Sequence, residues 1–250
     1  MSLPTHLQAC PLRGASNFRD IGGYATAQGS VVTGRIFRSD QIADLDAPDL
    51  GYLQQLGISH ALDFRGSFEL QRSPYHYDFI QREQLSIEPT IVQDLGSIMQ
   101  AERGQLTAQQ ASQVMQKTYI EFVQHHSAQF ARVFDQLLNT DQALLMHCTA
   151  GKDRTGFAVA LVHSALGVAP DDIMHDYMLS LDYFQRPDLE DNRGLSEEVL
   201  DVVWGVQPEF LQAAFTQATQ QYGSVQNYLQ QALGLDENRQ AALRERYLSN

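Results

Sequence analysis

A short apolar run and a longer one flank a polar loop near the middle of the chain. Residues 143–147 follow a turn-like segment and predict a buried strand, and residues 155–166 form an apolar stretch of helical length that stops at Gly167. Only residues 148–154 lie between them. The pattern therefore predicts a tight loop that joins the end of a buried strand to the N-terminus of a helix.

The N-terminal part of the chain shows shorter elements. Glycines punctuate residues 1–45, which we expect to form turns and short strands. Residues 46–56 predict a helix with an aspartate as its N-cap, Pro48 in its first turn and a glycine as its stop. Residues 58–64 then predict a strand with Asp63 near its C-terminal end, where ligands bind in open α/β sheets.

The remaining pattern is mostly helical. Residues 82–106 have the weakest pattern, and we expect a loop or lid with short helices there. Apolar residues at helical spacing from Tyr119 to Leu138 predict one long amphipathic helix. Residues 170–247 predict a series of helices. Their expected breaks lie near Pro187, Gly194, Pro208, Gly223 and Gly234.

Composition narrows the class of protein. The chain has 250 residues, which is enough for a large core, and one domain over residues 1–250 is the simplest organisation. The net charge of −13 argues against nonspecific nucleic-acid binding, because such binding depends on neutralising phosphates. The longest apolar stretch, residues 157–169, is too short to span a bilayer, so we expect no stable membrane insertion.

The N-terminus and the cysteines bear on the compartment. Residues 1–10 lack a charged segment followed by an apolar one, so no cleaved secretory signal is expected. Cys10 and Cys148 are far apart and predict neither a disulfide framework nor a zinc site. These features favour a location in the reducing cytoplasm. Export without a cleaved signal is the alternative. The sequence does not indicate an oligomeric state.

The loop 148–154 combines residue types that suit covalent phosphoryl transfer. Backbone N–H groups and the helix dipole converge at a helix N-terminus, so an oxyanion can bind there on main-chain donors. The same field stabilises a thiolate, so we expect Cys148 to be an ionised nucleophile. Arg154 offers a planar fork for two phosphate oxygens. The expected phosphate-binding residues are Thr149, Ala150, Gly151, Lys152, Asp153 and Arg154.

These residues resemble a known family. Residues 147–156 have the Cys-x5-Arg-Thr form of the cysteine-dependent protein tyrosine phosphatases, and their Cys-x-x-Gly-Lys-Asp-Arg version is similar to the bacterial atypical tyrosine and lipid phosphatases. The resemblance spans nearly the whole chain. Further segments in that family's order and spacing are residues 17–24, residues 34–40, residues 62–65 with Glu69, and residues 222–235.

The resemblance implies a fold and an activity. The implied fold is α/β, with a central, mostly parallel sheet flanked by helices and extra helices over about residues 170–250. The implied enzyme hydrolyses phosphotyrosine, and also phosphoserine, phosphothreonine or phosphoinositide monoesters, through a phosphocysteine intermediate without a metal or cofactor. Its partners are then a phosphorylated protein or a phosphoinositide. Lysine at the position of Lys152 accompanies lipid phosphatase activity in the family, so Lys152 is expected to contact additional phosphates.

Several side chains near the loop have two interpretations. Asp153 is the expected proton donor to the leaving oxygen; Asp63 is the rival donor, or else a structural partner of Arg65. Thr155 can hydrogen-bond the departing sulfur or cap the helix. Lys152 has the alternative of a solvated surface lysine.

Other residues are expected to support the loop. His147 is expected to orient it and support the thiolate, the alternative being simple core packing. Arg19 and Asp20 are expected to form a supporting ion pair. An inert buried thiol remains the alternative for Cys148, and His125-His126 is expected at the surface.

Three other classes of protein use similar loops. The sequence does not match a nucleotide-binding P-loop, because Asp153 stands where the motif needs Ser or Thr and Met146 stands where it needs the first Gly. A rhodanese-like sulfurtransferase also places a cysteine in an anion-binding loop, but the Arg-Thr-Gly ending resembles phosphatases better. A non-catalytic phospho-ligand-binding module stays open.

Overall fold

The structure, a computed structural model, describes residues 12–88, 106–186 and 194–249. Its strands are β1 (Arg19–Asp20), β2 (Ala25–Thr26), β3 (Gly29–Val31), β4 (Ile36–Ser39), β5 (Ile58–Asp63), β6 (Gln81–Gln84), β7 (Ala143–His147) and β8 (Leu248–Ser249). Its helices are α1 (Ala47–Gln55), α2 (Ser67–Arg72), α3 (Ala108–His125), α4 (Ser127–Asn139), α5 (Arg154–Leu166), α6 (Pro170–Met178), α7 (Ser180–Tyr183), α8 (Glu197–Trp204), α9 (Pro208–Tyr222), α10 (Val225–Gln231) and α11 (Glu237–Tyr247).

A five-stranded sheet of order β1-β4-β7-β5-β6 lies at the centre of the fold. Strands β4, β7, β5 and β6 are parallel, and β1 is antiparallel to β4. A smaller antiparallel sheet, β2-β3-β8, pairs an N-terminal hairpin with the C-terminal strand. The α/β fold with a mostly parallel central sheet and flanking helices is therefore confirmed.

Strand β7 is buried on both faces because it occupies the middle of the sheet. Leu144 and Met146 join the larger of two hydrophobic cores, whereas Ala143 and Leu145 join the smaller one on the opposite face. Successive side chains of a strand point to opposite faces, so a strand covered on both sides must be apolar throughout. The strand predicted at residues 143–147 is confirmed for this reason.

Three parallel strands end at the same edge of the sheet. Ser39 of β4 and Asp63 of β5 both pair in register with His147, the last residue of β7. Because the strands are parallel, the segments that follow residues 39, 63 and 147 leave the sheet side by side. The loop 148–154 therefore lies between the segment after β4 and the segment after β5.

Helix α5 runs through the larger core. All of its residues are buried, and it ends where Gly167 adopts φ 86°, as predicted. In its first turn, Phe157 packs against the rings of Phe122, Phe130 and Phe215, with centroid distances of 5.8, 4.9 and 6.4 Å. The loop is therefore followed by a helix that aromatic packing holds on several sides.

Helix α1 confirms the helix predicted over residues 46–56. Asp46 is its N-cap, and Asp46 and Asp49 form a reciprocal capping box around Pro48. Asp49 also accepts the backbone N–H groups of Arg13 and Gly14 at 3.0 and 2.9 Å. The cap therefore also holds the segment that precedes β1.

The single long helix predicted between Tyr119 and Leu138 is wrong. His126 lies at φ −121°, ψ 15°, so α3 ends at His125 and α4 begins at Ser127. Helix α3 packs against α8 and α9, whereas α4 packs against α5 and α11. The break lets the two apolar faces contact different partners, which periodicity along one segment does not reveal. His125 is exposed as expected, but His126 is half-buried at the break.

The loop or lid expected over residues 82–106 begins with a strand instead. Strand β6 pairs in parallel with β5 at the edge of the sheet. Its sequence is polar and mostly exposed, so no apolar alternation marks it. Residues 85–88 have no regular structure, and the rest of that prediction, residues 89–105, lies outside the described residues.

The helices predicted beyond residue 170 are confirmed in the described ranges. Pro208 begins α9, and Gly223 and Gly234 have positive φ where helices end. The break near Pro187 lies outside the described residues, and β8 was not predicted. In the part of the chain that the structure covers, no helix combines the length and apolarity needed to cross a membrane.

We expect Phe157→Ala to lower the free energy of unfolding by about 3–5 kcal/mol, because it leaves a cavity among three aromatic rings. Chemical denaturation measures this loss. Phe68→Ala is the matched control, since the Phe68 side chain is 71% exposed and its removal should change stability little. Equal effects of the two substitutions would contradict the packing described here.

Candidate active site

The loop 148–154 curls around the sulfur of Cys148. Gly151 has φ +66°, and its N–H donates to Cys148 Sγ at 3.2 Å. A Cβ at position 151 would lie 2.3 Å from the backbone oxygen of Ser39, so only glycine fits between the loop and the end of β4. The turn therefore directs a main-chain donor at the sulfur.

Other main-chain donors of the loop are available. Within the described part of the chain, the backbone N–H groups of Thr149, Ala150, Lys152 and Asp153 have no hydrogen-bond acceptor. Buried N–H groups are normally paired. A set of unpaired donors at the N-terminus of α5 is what an oxyanion-binding loop requires.

The carbonyl oxygens of the loop are held by residues outside it. Arg38 Nη2 donates to the oxygen of Gly151 at 2.7 Å, and Asn17 Nδ2 donates to the oxygen of Ala150 at 3.0 Å. The N–H of Gln41 donates to the oxygen of Thr149 at 3.0 Å. These three bonds fix the peptide planes and therefore the directions in which the loop N–H groups point.

Two buried arginines and one aspartate lie next to these carbonyls. Arg38 Nη1 is 2.6 Å from Asp176 Oδ2, and Arg19 Nε is 3.5 Å from Asp176 Oδ1. Arg19 also donates to Asn17 Oδ1 at 2.5 Å. Burial would raise the pKa of Asp176, but the charges of Arg19 and Arg38 outweigh it and lower the pKa to about 2. Burial, with the charge of Arg38, lowers the pKa of Arg19 to about 10.

Arg154 is clamped by Glu69 of helix α2. Its Nη1 and Nη2 atoms donate to the two carboxylate oxygens at 2.6 and 2.7 Å. Glu69 in turn accepts the N–H of Gly66 at 2.8 Å and the hydroxyl of Thr149. Burial would raise the pKa of Glu69, but its bonds to Arg154 lower it, so the carboxylate stays charged.

The bonds of Arg154 leave one edge of its guanidinium open. Nη1 also donates to the carbonyl oxygens of Phe64 and Ile87 at 3.3 and 3.1 Å. Among the described residues, Nε has no acceptor and Nη2 has only Glu69. The edge formed by Nε and Nη2 is therefore available, and it has the geometry that binds two phosphate oxygens. Burial would lower the pKa of Arg154, but Glu69 and the charge of Cys148 raise it overall.

His147 is buried behind the nucleophile. Its Nε2 lies 2.7 Å from the hydroxyl of Tyr75, and its Nδ1 lies 3.4 Å from the carbonyl oxygen of Cys148. Burial lowers the pKa of His147, although Asp63 opposes the shift. A neutral ring with its proton on Nδ1 can accept from Tyr75 and donate to Cys148 at once.

Asp63 is fully buried and engaged by Arg65. Its carboxylate accepts the backbone N–H of Arg65 and the Nε and Nη2 groups of the same side chain. Burial would raise the pKa of Asp63, but the charge of His147 when its ring is protonated, together with the hydrogen bonds and charge of Arg65, lowers it. Asp63 therefore has the structural partner that the sequence left as an alternative.

Asp153 is partly exposed and held at both oxygens. The hydroxyl of Tyr119 donates to Oδ1 at 3.0 Å, and Lys152 Nζ lies 2.8 Å from Oδ2. Lys152 also donates to the carbonyl oxygen of Gly205 at 2.9 Å. The surface alternative for Lys152 is wrong, because its side chain is only 3% exposed.

Thr155 lies at the start of α5 and is fully buried. In the described part of the chain, its hydroxyl has no hydrogen-bond partner. The helix has Asp153 as its N-cap residue, so Thr155 is not the cap. Thr155 directly follows the loop, and among the described residues its buried hydroxyl keeps a free donor.

One expected pair differs in the structure. Arg19 has Asp176 as its carboxylate partner rather than the expected Asp20. Arg19 and Asp20 are consecutive in β1, so their side chains point to opposite faces of the sheet. Asp20 instead accepts the N–H groups of Gly22 and Gly34 at 2.8 and 2.5 Å, which ties together the two ends of the segment between β1 and β4.

Several residues of this site have no functional signal of their own in the sequence. Glu69 and Arg38 lie in segments that carry the family resemblance, and that was their only signal. Asp176 lies in an ordinary amphipathic helix and had none. Tyr119 was counted only as an apolar position of a helix.

The chain belongs to the tyrosine phosphatase family, whose sequence model matches residues 10–249. The fold is that of an α/β protein, and the chain is an enzyme with phosphatase activity. Its substrate is accordingly phosphorylated.

Two curated proteins are similar to this chain over most of their length, and one solved structure shows a more distant likeness. A protein of Cupriavidus necator, whose name assigns it to the tyrosine-protein phosphatases, is 36% identical over 94% of this chain and 86% of its own. The triple specificity protein phosphatase PtpB of Mycobacterium tuberculosis is 33% identical over 88% of this chain and 92% of its own. The solved catalytic core of Siw14 is 12% identical, with a TM-score of 0.40, over 84% of this chain and 95% of its own.

We expect Asp176→Asn to destabilise the protein by about 3–5 kcal/mol, because it leaves two buried guanidinium groups without a counter-charge. Chemical denaturation measures the loss. Asp141→Asn is the matched control, since Asp141 pairs with Arg246 at the surface, where an ion pair contributes at most about 1 kcal/mol.

The same pair predicts a pH dependence. The folded-state pKa of Asp176 is about 2, below its ordinary 3.8, so its contribution to stability is fully present above about pH 4. This contribution is lost as the pH falls from about 4 towards 2. The wild-type protein should therefore lose more stability over this interval than Asp176→Asn. Parallel losses would contradict the ion pair.

Proposed function

We propose that this protein hydrolyses phosphate monoesters through a phosphocysteine intermediate, with Cys148 as the nucleophile. The observation that carries the proposal is the environment of its sulfur. Sγ accepts the N–H of Gly151, inside a loop whose other N–H groups are unpaired among the described residues. A thiolate and a bound oxyanion are both stabilised by such donors.

The first step transfers phosphorus to sulfur. The Cys148 thiolate attacks in line while the loop N–H groups and the open edge of Arg154 hold the equatorial oxygens. Glu69 fixes the plane of the guanidinium through two hydrogen bonds. The P–S bond forms, the bond from phosphorus to the leaving oxygen breaks, and that oxygen takes a proton from a carboxylic acid. Water then hydrolyses the phosphocysteine and restores the thiolate, which the Thr155 hydroxyl can stabilise.

Asp153 is the general acid in this proposal. It lies in the loop next to Arg154 and keeps part of its surface accessible. Asp63 is buried, bound by Arg65 and kept charged, so it has no proton to give. Two further residues support the loop. His147 hydrogen-bonds Tyr75 and approaches the carbonyl oxygen of Cys148, and Arg19 holds the side chain of Asn17.

The substrate class extends beyond phosphotyrosine in this proposal. It includes phosphoserine or phosphothreonine and phosphoinositides, and the relative named for triple specificity supports this range. Lys152 supports the lipid part, because its ammonium lies beside the loop. A second phosphate on a compact ring can replace Asp153 as its partner while Gly205 is kept.

Composition supports three further parts of the proposal. The enzyme works in a reducing cytoplasm. It does not bind nucleic acid, because its net charge is −13. Residues 1–250 form one catalytic domain.

We expect Cys148→Ser to bind phosphotyrosine peptides yet lose activity by about 10⁴-fold or more, because an alcohol is a far poorer nucleophile. Turnover of an aryl phosphate and peptide binding by calorimetry measure the two properties. Cys10→Ser is the matched control and should retain full activity. A Cys148→Ser protein with substantial turnover would refute the covalent mechanism, and a wild type that binds without turnover would be a phospho-ligand-binding module.

We expect Lys152→Ala to reduce kcat/KM on phosphoinositides more than on phosphotyrosine peptides. A lost contact between an ammonium and a second phosphate corresponds to about 1.5–3 kcal/mol, or roughly ten- to a hundredfold. Lys117→Ala is the matched control, since Lys117 is the chain's other lysine and pairs with Glu121 on the surface of α3. Equal losses on both substrates would remove the support for lipid activity.

A further inference from the structure

The carboxylate of Asp153 is held differently at its two oxygens. Oδ1 accepts the hydroxyl of Tyr119 at 3.0 Å, whereas Oδ2 faces Lys152 Nζ at 2.8 Å. Lys152 has a second acceptor in the carbonyl oxygen of Gly205. Lys152 can therefore move away from Oδ2 and keep one hydrogen-bond acceptor, whereas Tyr119 is held at Oδ1.

A second phenol orients the hydroxyl of Tyr119. The hydroxyl of Tyr177 lies 2.7 Å from the hydroxyl of Tyr119. A phenol has one proton to donate. Because Tyr119 donates its proton to Asp153, it accepts from Tyr177, and the hydrogen bonds run in one direction, from Tyr177 through Tyr119 to Asp153.

Both phenols are fully buried and keep their protons. Burial, with the charge of Asp153, raises the pKa of each well above the ordinary value. Tyr119 comes from α3 and Tyr177 from α6, and their rings meet edge to face with centroids 6.2 Å apart. The hydrogen-bond chain is therefore fixed by two helices outside the loop.

The chain is also tied to the start of α5. A Cβ at Gly156 would lie 3.0 Å from the ring of Tyr177, so the ring packs directly on the first turn of that helix. Tyr119 is enclosed by the rings of Phe122 and Phe210 at 5.1 and 5.9 Å. Neither ring can rotate away from its hydrogen-bond partner without disturbing this packing.

We infer that Tyr119, oriented by Tyr177, is a positioning residue for catalysis that holds Asp153 so that Oδ2 carries the transferred proton. This inference rests on the proposed role of Asp153 as general acid. Tyr119 keeps Oδ1 occupied, whereas Oδ2 becomes free when Lys152 moves to Gly205 alone, so protonation falls on Oδ2. The proton passes from Oδ2 to the leaving oxygen as the P–S bond forms and the P–O bond breaks.

The reverse transfer uses the same oxygen. When water attacks the phosphocysteine, its proton goes to Oδ2, the new P–O bond forms, and the P–S bond breaks to return the thiolate. Between the two steps Asp153 is a carboxylate that Tyr119 and Lys152 stabilise. Tyr119 donates to Oδ1 throughout, so the acid keeps one orientation for both transfers.

The test is Tyr119→Phe, measured with aryl phosphates of graded phenol acidity and with an alkyl phosphate. Proton donation matters most for poor leaving groups. We expect a loss in kcat/KM, which reports the transfer to sulfur alone, of about tenfold with the poorest leaving group and under about twofold with the best. Asp153→Asn should show the same trend with losses of about 10²–10⁴-fold on the poorest substrate. In the Asp153→Asn background, Tyr119→Phe should have no further effect.

Two further variants separate positioning from packing. Tyr177→Phe removes the donor to Tyr119 and should give a smaller loss with the same dependence on the leaving group. Tyr228→Phe is the matched control, since its buried hydroxyl bonds Ser127 away from Asp153 and its loss should not depend on the leaving group. Thermal unfolding verifies that each variant is folded.

The outcomes distinguish this inference from the proposed function. A Tyr119→Phe loss that is equal on all substrates, together with a steep trend for Asp153→Asn, would overturn the role of Tyr119 alone. A flat trend for Asp153→Asn would overturn the general acid assignment itself.

Discussion

The proposed phosphate site depends on the directions in which the carbonyl oxygens of the loop 148–154 point. A loop of consecutive residues can aim several N–H groups inward only if its carbonyl groups are accepted elsewhere, because each peptide plane carries both. Arg38, Asn17 and the N–H of Gln41 supply those bonds from β4 and the segments beside it. The end of the parallel sheet thus holds the loop from outside, with its N–H groups in the directions that the proposed oxyanion site requires.

The distribution of charge explains how an acidic chain can bind an anion. The net charge is −13, yet Arg19 and Arg38 place two buried positive charges beside the loop against the single negative charge of Asp176. Arg154 is matched by Glu69, which fixes its plane without covering the Nε edge. Burial strengthens these local fields, whereas surface charges are screened by salt. The local field at the loop is therefore set by these buried groups rather than by the net charge.

Prediction from the sequence succeeded where a local pattern suffices. Strand β7 and helix α5 were predicted because their apolar runs are continuous and end at a loop and at Gly167. Strand β6 was missed because a polar edge strand is stabilised by pairing with its neighbour and has no apolar alternation. Helices α3 and α4 were predicted as one helix because the apolar residues on both sides of His126 have helical spacing. The helix break follows from the different partners that the two faces contact.

The sequence by itself determined the loop, the residue types that suit phosphate chemistry, and the family, because these depend on residues close together in the chain. Only the tertiary structure decided the partners. Arg19 pairs with Asp176 rather than its neighbour Asp20, Arg154 with Glu69, and Asp153 with Tyr119. These partners lie on separate helices and strands, and no spacing along the chain specifies which of them meet. The packing of the sheet edge against α2, α3 and α6 selects them, because buried charges and hydroxyls must find partners wherever the fold brings them together.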